Sequence, residues 1–214
     1  GLLHIDNGQV MQTILRELQR AGYKVFWKVL NSCNFGVPHR RERVFFVGIR
    51  QDLVSTDFEF SFPEPRQSRS LSEFLIDEDE EFEINEKDSN YLKRYLQNKY
   101  NKGNFTLGDL LSKEFLIIDI RQTKIRLYEN AVPTLRAKRQ GILYVRNSKL
   151  RKLSGFEALL LQGFDRTLAE KVKGKIKNTT LLQQAGNALT ANIVEALGSE
   201  LLRIYPPRQN TPLA

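Results

Sequence analysis

An almost unbroken apolar run, VFFVGI at 44–49, follows three arginines in the segment NFGVPHRRERVFFVG at 34–48. A strand this apolar is typical of a sheet that is covered on both faces, as in a layered α/β domain. A second strand-like segment, YKVFWKVL at 23–30, precedes it, and a turn around Gly36 and Pro38 separates the two. Two strands cannot complete such a sheet. We therefore expect further strands from a partner chain or from sequence that precedes residue 1.

Helical patterns lie on either side of these strands along the chain. Apolar residues recur at helical spacing between 10 and 18, with Asp6 and Asn7 as candidate N-caps and Gly22 as the stop signal. Near the other end, apolar residues repeat every four positions from 193 to 201, and two prolines follow at 206 and 207. Each pattern predicts a helix with one apolar face.

Between these parts, the composition indicates a second domain that begins near Phe62. We expect a helix around 91–96, a second helix at 107–115 and a strand at 115–120. Basic residues then recur among short apolar stretches from 121 to 152, which predicts a basic, loop-rich β surface. The tetrapeptide SGFE at 154–157 is a capping box that predicts a short helix ending at the LQGF segment.

The charge of the chain favours a polyanionic partner. The net charge is +8, although residues 77–86 hold seven acids and no base, and such a balance is typical of nucleic-acid binding. The one cysteine, Cys33, excludes a disulfide framework and fits a reducing compartment. No apolar run reaches the length of a membrane span and no leader opens the chain. We expect a soluble, cytoplasmic protein without a membrane span or a metal site.

Three separated blocks resemble motifs of the DNA (cytosine-5) methyltransferases, in the same order. Residues 1–48, which end in GVPHRRER followed by the apolar run, resemble the segment that ends in the family's GVPQxRER motif. Residues 151–164, RKLSGFEALLLQGF, resemble its RxLTxxExxxLQGFP motif. Residues 183–198, QQAGNALTANIVEALG, resemble its closing xxGNSVxxxVxxxLG motif. The chain is thereby identified as the C-terminal part of a member of this family, of the bacterial restriction-modification type.

The resemblance implies an α/β fold of two parts. One is the C-terminal part of a Rossmann-like S-adenosylmethionine-dependent methyltransferase domain, and the other is a smaller, loop-rich mixed α/β target-recognition domain. It implies four segments, namely catalytic-domain elements with the arginine motif at 1–50, the DNA-binding target-recognition domain at 51–150, a hinge with the LQGF motif at 151–185, and a final helix returning to the catalytic domain at 186–214.

The family's reaction transfers a methyl group from S-adenosylmethionine to carbon 5 of a cytosine flipped out of duplex DNA. A cysteine thiolate adds to carbon 6 while a glutamate assists protonation at ring nitrogen 3. The family's PCQ, ENV and FxGxG motifs, which carry the nucleophile, the glutamate and the main cofactor loop, do not occur in this sequence. We therefore expect this chain alone to be inactive, and expect an N-terminal methyltransferase half, as a second chain or as further sequence, to be its partner.

The arginine motif is the part of the pocket that the resemblance assigns to this chain. It implies that Arg41 and Arg43 hydrogen-bond the carbonyl of the flipped base and the adjoining backbone, whereas Arg40 occupies a variable position. Guanidinium groups suit this role because they stay charged and present a planar fork of donors. The family's usual glutamine is replaced by His39. From charge alone HRRER would be a solvated hairpin turn, but the other two motif blocks favour the pocket.

The resemblance also assigns cofactor and DNA contacts. Asn187 and Ala188 match the cofactor-side motif, which we place at the start of the final helix. Gly163 and Phe164 are expected to shape the hinge, and Cys33 lies outside the family's nucleophile motif. The segment VPTLRA at 132–137 resembles a threonine-leucine element of recognition domains. The predicted DNA-binding residues are Arg121, Lys124, Arg126, Thr134, Arg136, Lys138 and Arg139.

Two other functions remain open at the level of sequence. A non-catalytic DNA-binding module descended from a methyltransferase would have the same basic surface, since phosphate neutralisation dominates affinity in both cases. Such a module has no need of Arg43 or Asn187, which favours the enzyme. An RNA methyltransferase of related fold is the third possibility, and the long recognition insert together with LQGF favours DNA.

Overall fold

The computed structural model describes residues 2–101, 104–121, 124–137 and 141–206, without the side chain of His4. Two compact units share the chain. The first comprises Gly1–Asn31, Glu42–Pro65 and Glu195–Ala214, and the second comprises Ser32–Arg41 and Arg66–Val194. The four functional segments expected from the sequence remain predictions.

Along the described residues, one helix is followed by three strands, two helices, five strands and four helices. The helices are α1 Gln9–Arg20, α2 Glu86–Leu96, α3 Leu107–Leu111, α4 Gly155–Leu161, α5 Arg166–Val172, α6 Asn178–Asn187 and α7 Ala191–Ile204. The strands are β1 Tyr23–Asn31, β2 His39–Arg40, β3 Glu42–Arg50, β4 Ile117–Ile120, β5 Ile125–Tyr128, β6 Val132–Pro133, β7 Ile142–Arg146 and β8 Lys149–Lys152. No helix among these residues is both long and apolar enough to cross a membrane.

In the first unit, β1 and β3 form an antiparallel ladder that confirms both predicted strands. Tyr23 lies opposite Arg50, and Asn31 lies opposite Glu42. Burial alternates along β3, where Phe45, Val47 and Ile49 are buried and the intervening residues are half-buried or exposed. We expected both faces of the ladder to be covered. Within the described residues, only one face is buried by the rest of the first unit.

The start of α1 differs from the prediction. Asp6 and Asn7 adopt φ angles of 46° and 54°, and the N-cap is Gly8 with a φ of 88° and no side-chain capping bond. Asp and Asn tolerate the left-handed region better than other non-glycine residues. They therefore form the turn before the helix instead of capping it.

In the second unit, a four-stranded antiparallel sheet separates two apolar clusters. The strand order is β5-β4-β7-β8. Alternation along β4 and β7 sends Ile117 and Tyr144 into one cluster and Ile118 and Val145 into the other. Helix α4 contributes to the first cluster, and α2 and α3 contribute to the second. The sheet is thus the layer on which the motif-bearing helices are built.

Local capping signals account for several helix boundaries. Ser154 and Glu157 form the predicted capping box, and the Glu157 N–H donates to Ser154 Oγ at 3.1 Å. Helix α3 is shorter than predicted and ends at Leu111. Helix α7 ends at Ile204, before Pro206, as proline requires. Asn187 ends α6, so its predicted position at the start of the final helix is wrong.

Candidate functional site

Residues 38–40 run beside the threonine-leucine element in the second unit. Strand β2 pairs in parallel with β6, and the Val132 N–H donates to the Pro38 carbonyl at 2.7 Å. Thr134 Oγ1 donates to the Arg40 carbonyl at 2.7 Å. The Leu135 N–H donates to Nε2 of His39, which is fully buried, at 3.1 Å. The short β2 strand therefore holds the element in an extended form.

Arg41 lies at the centre of this arrangement with only 4% of its surface exposed. Its Nη1 donates to the Leu135 carbonyl at 3.0 Å, and its Nη2 donates to the carbonyls of Gly186 and Ala188 at 3.2 and 2.7 Å. Hydrogen bonds from a charged donor are stronger than neutral ones. Arg41 thus joins the threonine-leucine element to the C-terminal end of α6.

The end of α6 packs closely against the backbone of the threonine-leucine element. A Cβ added to Gly186 would overlap the backbone of Arg136 and Ala137. Only glycine permits this approach without a shift of the backbone. The GN pair of the third motif block therefore owes its glycine to packing against the residues that follow Leu135.

A buried polar network connects Gln162 of the LQGF segment to the end of α6 and to the main chain of Arg41. The Gln162 amide donates to the Ala185 carbonyl, and its Oε1 accepts from Thr190 Oγ1 at 3.0 Å. The Thr190 and Ser32 hydroxyls are 2.7 Å apart, and Ser32 Oγ donates to the Arg41 carbonyl at 3.2 Å. These buried contacts link the side chain of Gln162, through Thr190 and Ser32, to the main chain of Arg41.

Gly163 follows Gln162 with a φ of 80°, and a Cβ there would collide with the Asn192 side chain. The turn after α4 is therefore restricted to glycine by both backbone conformation and space. The predicted hinge role of Gly163 and Phe164 stays a prediction.

Glu157 is another buried ionisable residue of this unit. Its carboxylate accepts from the Asp77 and Ser154 N–H groups, each at 3.0 Å, and from the Tyr144 hydroxyl at 2.8 Å. Burial raises the pKa of Glu157 to about 7 and also raises the pKa of Tyr144. This group fastens the loop at 77–79 to the start of α4.

The predicted cofactor residues occupy different environments. Asn187 is exposed, and Ala188 is half-buried with its carbonyl bonded to Arg41. An exposed amide at a helix end suits a polar edge of a nucleoside-type ligand, since it offers both a donor and an acceptor. Contact of Asn187 and the Ala188 backbone with S-adenosylmethionine stays a prediction. No group of three or more His, Cys, Asp or Glu in the described residues could hold a metal ion.

Arg43 belongs to the first unit, where it is half-buried on β3. Its Nη1 donates to the Glu42 carbonyl at 2.7 Å. Cys33 is half-buried, and burial raises the pKa of its thiol, which disfavours the nucleophilic thiolate.

The predicted DNA-binding residues that the structure describes lie in the second unit. Lys124, Arg126 and Arg136 are exposed, whereas Arg121 is bonded at 2.8 Å to Asp119, a buried carboxylate. Thr134 is half-buried. Lys138 and Arg139 lie outside the described residues. DNA contact by each of these residues stays a prediction.

Several residues of this site were missed by sequence reasoning. Ser32, Thr190 and Tyr144 carry no motif signal strong enough to select them among other polar residues. Gln162 lies within the LQGF motif. Its place in that motif was the one indication from the sequence that it has a role in the network. His39 was noticed as a departure from the family, but its contact with Leu135 depends on the fold.

The chain is similar to known methyltransferases over nearly all of its length. It is 31% identical over 208 residues to the type II methyltransferase M.NgoBI of Neisseria gonorrhoeae, covering 96% of this chain and 59% of that protein. It is 27% identical to M.NlaX of Neisseria lactamica, covering 92% and 58%. The chain therefore spans about three fifths of the length of these relatives.

Two solved structures share the fold. The methyltransferase EhMeth of Entamoeba histolytica aligns with a TM-score of 0.55 and 17% identity, covering 93% of this chain and 59% of that one. The Dnmt2 methyltransferase of S. pombe aligns with a TM-score of 0.59 and 16% identity, covering 93% and 63%. The profile of the family described as C-5 cytosine-specific DNA methylase matches residues 1–203. The chain belongs to the C-5 cytosine-specific DNA methylase family.

Proposed function

We propose that this chain is the target-recognition and pocket-closing part of a DNA (cytosine-5) methyltransferase. In the assembled enzyme, a methyl group passes from S-adenosylmethionine to carbon 5 of a cytosine flipped out of a specific duplex sequence. The nucleophilic cysteine, the glutamate and the main cofactor loop come from an N-terminal half, and this chain alone does not methylate DNA. The type II methyltransferases among its relatives lead us to place the enzyme in a bacterial restriction-modification system, acting in the cytoplasm at the nucleoid.

The observation that carries the proposal is the meeting of three distant motif blocks. Arg41 of the first block donates to the backbone of the third block at Gly186 and Ala188. Gln162 of the second block donates to Ala185 of the third. A catalytic pocket requires that motif residues far apart along the chain come together. A module that only binds DNA has no such requirement.

Charge and exposure support the DNA-binding part of the proposal. Lys124, Arg126 and Arg136 present cations to solvent on the second unit, which suits contact with phosphates. Thr134 is held between the main chain of Arg40 and the Arg41-bonded peptide of Leu135. A short hydroxyl in a fixed backbone is suited to contact one phosphate or base edge.

Exposed apolar surface on the first unit supports a partner half. Trp27 and Val29 lie on one face of β1 with 43% and 39% of their surface exposed. Their partners across the ladder on that face are Phe46 and Val44. A contiguous apolar strand face of this kind marks an interaction surface, and the N-terminal methyltransferase half is the occupant that we propose.

The decisive experiment measures transfer of a labelled methyl group from S-adenosylmethionine to DNA. The chain is assayed alone, with an N-terminal half from a family member that retains the PCQ and ENV motifs, and with that half carrying a serine in place of its PCQ cysteine. We expect transfer only with the intact half. Transfer by the chain alone would refute the division of labour, and DNA binding without transfer in the assembled complex would favour a pure binding module.

A further inference from the structure

We propose that Arg41 is a positioning residue that clamps the threonine-leucine element to the end of α6 and does not itself contact the base. This inference rests on the proposed function, because it assigns Arg41 its role within that site. It sharpens the expectation that the arginine pair hydrogen-bonds the carbonyl of the flipped base and the adjoining backbone, because it gives Arg41 main-chain contacts only.

In the folded chain, the Arg41 guanidinium holds three main-chain carbonyls. Both terminal nitrogens donate to main-chain carbonyls, with Nη1 on Leu135 and Nη2 shared between Gly186 and Ala188. These three bonds range from 2.7 to 3.2 Å, and the side chain is 4% exposed. To reach a base, Arg41 would have to release buried carbonyls, which costs free energy for each carbonyl left unsatisfied.

The Leu135 peptide is held on both sides. Its carbonyl accepts from Arg41, and its N–H donates to Nε2 of the fully buried His39. Because Nε2 accepts a hydrogen bond, the ring carries no proton on that nitrogen. A glutamine at this position could accept the same bond through its side-chain oxygen, so the clamp tolerates either residue.

The clamp positions residues that are predicted to contact DNA and the cofactor. Thr134 and Arg136 flank the held peptide, and both are predicted DNA-binding residues. Asn187, the last residue of α6, lies between Gly186 and Ala188, whose carbonyls Arg41 holds. The close approach of Gly186 to the backbone of Arg136 and Ala137 makes the two segments one rigid block. Arg41 therefore acts on DNA and on the cofactor through these neighbours.

Amide hydrogen exchange of the chain by itself tests the clamp without any need for activity. Arg41→Lys keeps the charge but cannot hold three carbonyls in a fork, and Arg43→Lys is the matched control. We expect amides within 132–137 and 184–191 to exchange at least about tenfold faster in Arg41→Lys, and to keep their rates in Arg43→Lys. Unchanged exchange in either segment of Arg41→Lys would overturn the clamp.

His39 supplies a second measurement that does not depend on the folding of an Arg41 variant. His39→Leu removes the acceptor and should speed exchange at Leu135, whereas His39→Gln should leave it slow. The chain has two histidines, so His4→Gln leaves one imidazole in nitrogen NMR spectra. We expect an unprotonated Nε2 for His39 in the neutral ring. A proton on that nitrogen, or equal exchange in the leucine and glutamine variants, would contradict the model of the clamp.

Kinetics of the assembled enzyme separate positioning from contact. If Arg41 acts through Thr134 and Asn187, Arg41→Lys should raise the KM for both DNA and S-adenosylmethionine by several fold, with a smaller loss of kcat. A loss of kcat at unchanged KM values would indicate a contact made in the transition state and would overturn the proposal. Should no assembled wild-type enzyme transfer methyl groups, the proposed function fails, and the exchange and NMR measurements still decide the clamp.

Discussion

Arg41 carries a full charge into the interior of the second unit, and the main chain there is arranged to receive it. Three carbonyls converge on its two terminal nitrogens. Arg43, two positions along, is half-buried on a different unit. The two arginines of the motif, Arg41 and Arg43, therefore have different surroundings. We expect their substitution to have different effects on the enzyme.

For Arg43 we expect a defect of turnover in the assembled enzyme. A guanidinium that donates to the base where charge develops contributes mainly in the transition state. Arg43→Ala should lower kcat by about 100-fold or more, while the affinity for target DNA changes little. Single-turnover methyl transfer and DNA titration measure the two quantities. Normal turnover in this variant would remove Arg43 from the pocket.

For Glu157 we expect a pH-dependent contribution to stability. Its pKa is raised from 4.5 to about 7 in the folded chain. Between these values the folded carboxyl keeps a proton that the unfolded chain releases. The free energy of unfolding therefore falls as the pH rises through this window and levels off above it, by about 3 kcal/mol at most.

Urea unfolding at pH 5 and pH 8 tests this dependence. Glu157→Gln should lose the pH-dependent part that the wild type shows, although the variant is less stable overall because one amide N–H₂ faces donor groups. Glu59→Gln, at an exposed position, is the matched control and should keep the wild-type dependence. The same pH slope in Glu157→Gln and wild type would count against a titrating Glu157.

At the scale of elements, the end of α6 contacts the main chain of Arg136 and Ala137, shortly after β6. The approach is possible because position 186 has no Cβ. The capping box of α4 and the Gln162 network then hold the next helix against the same region. The elements that carry the motifs are therefore fixed by backbone contacts and buried polar bonds as much as by apolar packing.

Two glycines in helices give a matched pair of substitutions. Gly186→Ala should destabilise the chain by about 1–3 kcal/mol, because the new methyl group has no room beside Arg136 and Ala137. Gly198→Ala, inside α7 with no atom within 4 Å of the added group, should stabilise it by about 0.5–1 kcal/mol. Thermal unfolding measures both. Equal effects of the two substitutions would contradict the close approach.

At the scale of the molecule, the first unit presents an apolar face that its described residues do not cover. Trp27, the one tryptophan of the chain, lies on that face and is 43% exposed. Its fluorescence therefore reports directly on what binds there.

Mixing the chain with an N-terminal methyltransferase half should shift Trp27 emission to the blue and protect it from acrylamide, because binding removes the indole from water. These measurements require a half in which tryptophans are replaced. Val29→Lys places a charge on the same face and should prevent association. Lys28→Gln, on the opposite face of β1, should not. A complex that forms with unaltered Trp27 emission would show that another surface is used.

Local features were predictable from the sequence because they depend on residues close together along the chain. The two strands of the first unit, the Ser154 and Glu157 capping box and the end of α7 before Pro206 follow from periodicity, capping and the missing proline N–H. The left-handed turn at Asp6 and Asn7 was missed because two residues with good capping side chains also tolerate that conformation.

The family and the order of its motifs could be established from the sequence alone, since motif residues recur at recognisable spacings. Only the tertiary structure decided which of these residues meet. Arg41 bonds to Leu135 and Gly186, which are 94 and 145 positions away, and no local pattern encodes a contact over such a separation. Burial likewise distinguishes Arg41 from Arg43, because exposure depends on the packing of several segments around each side chain.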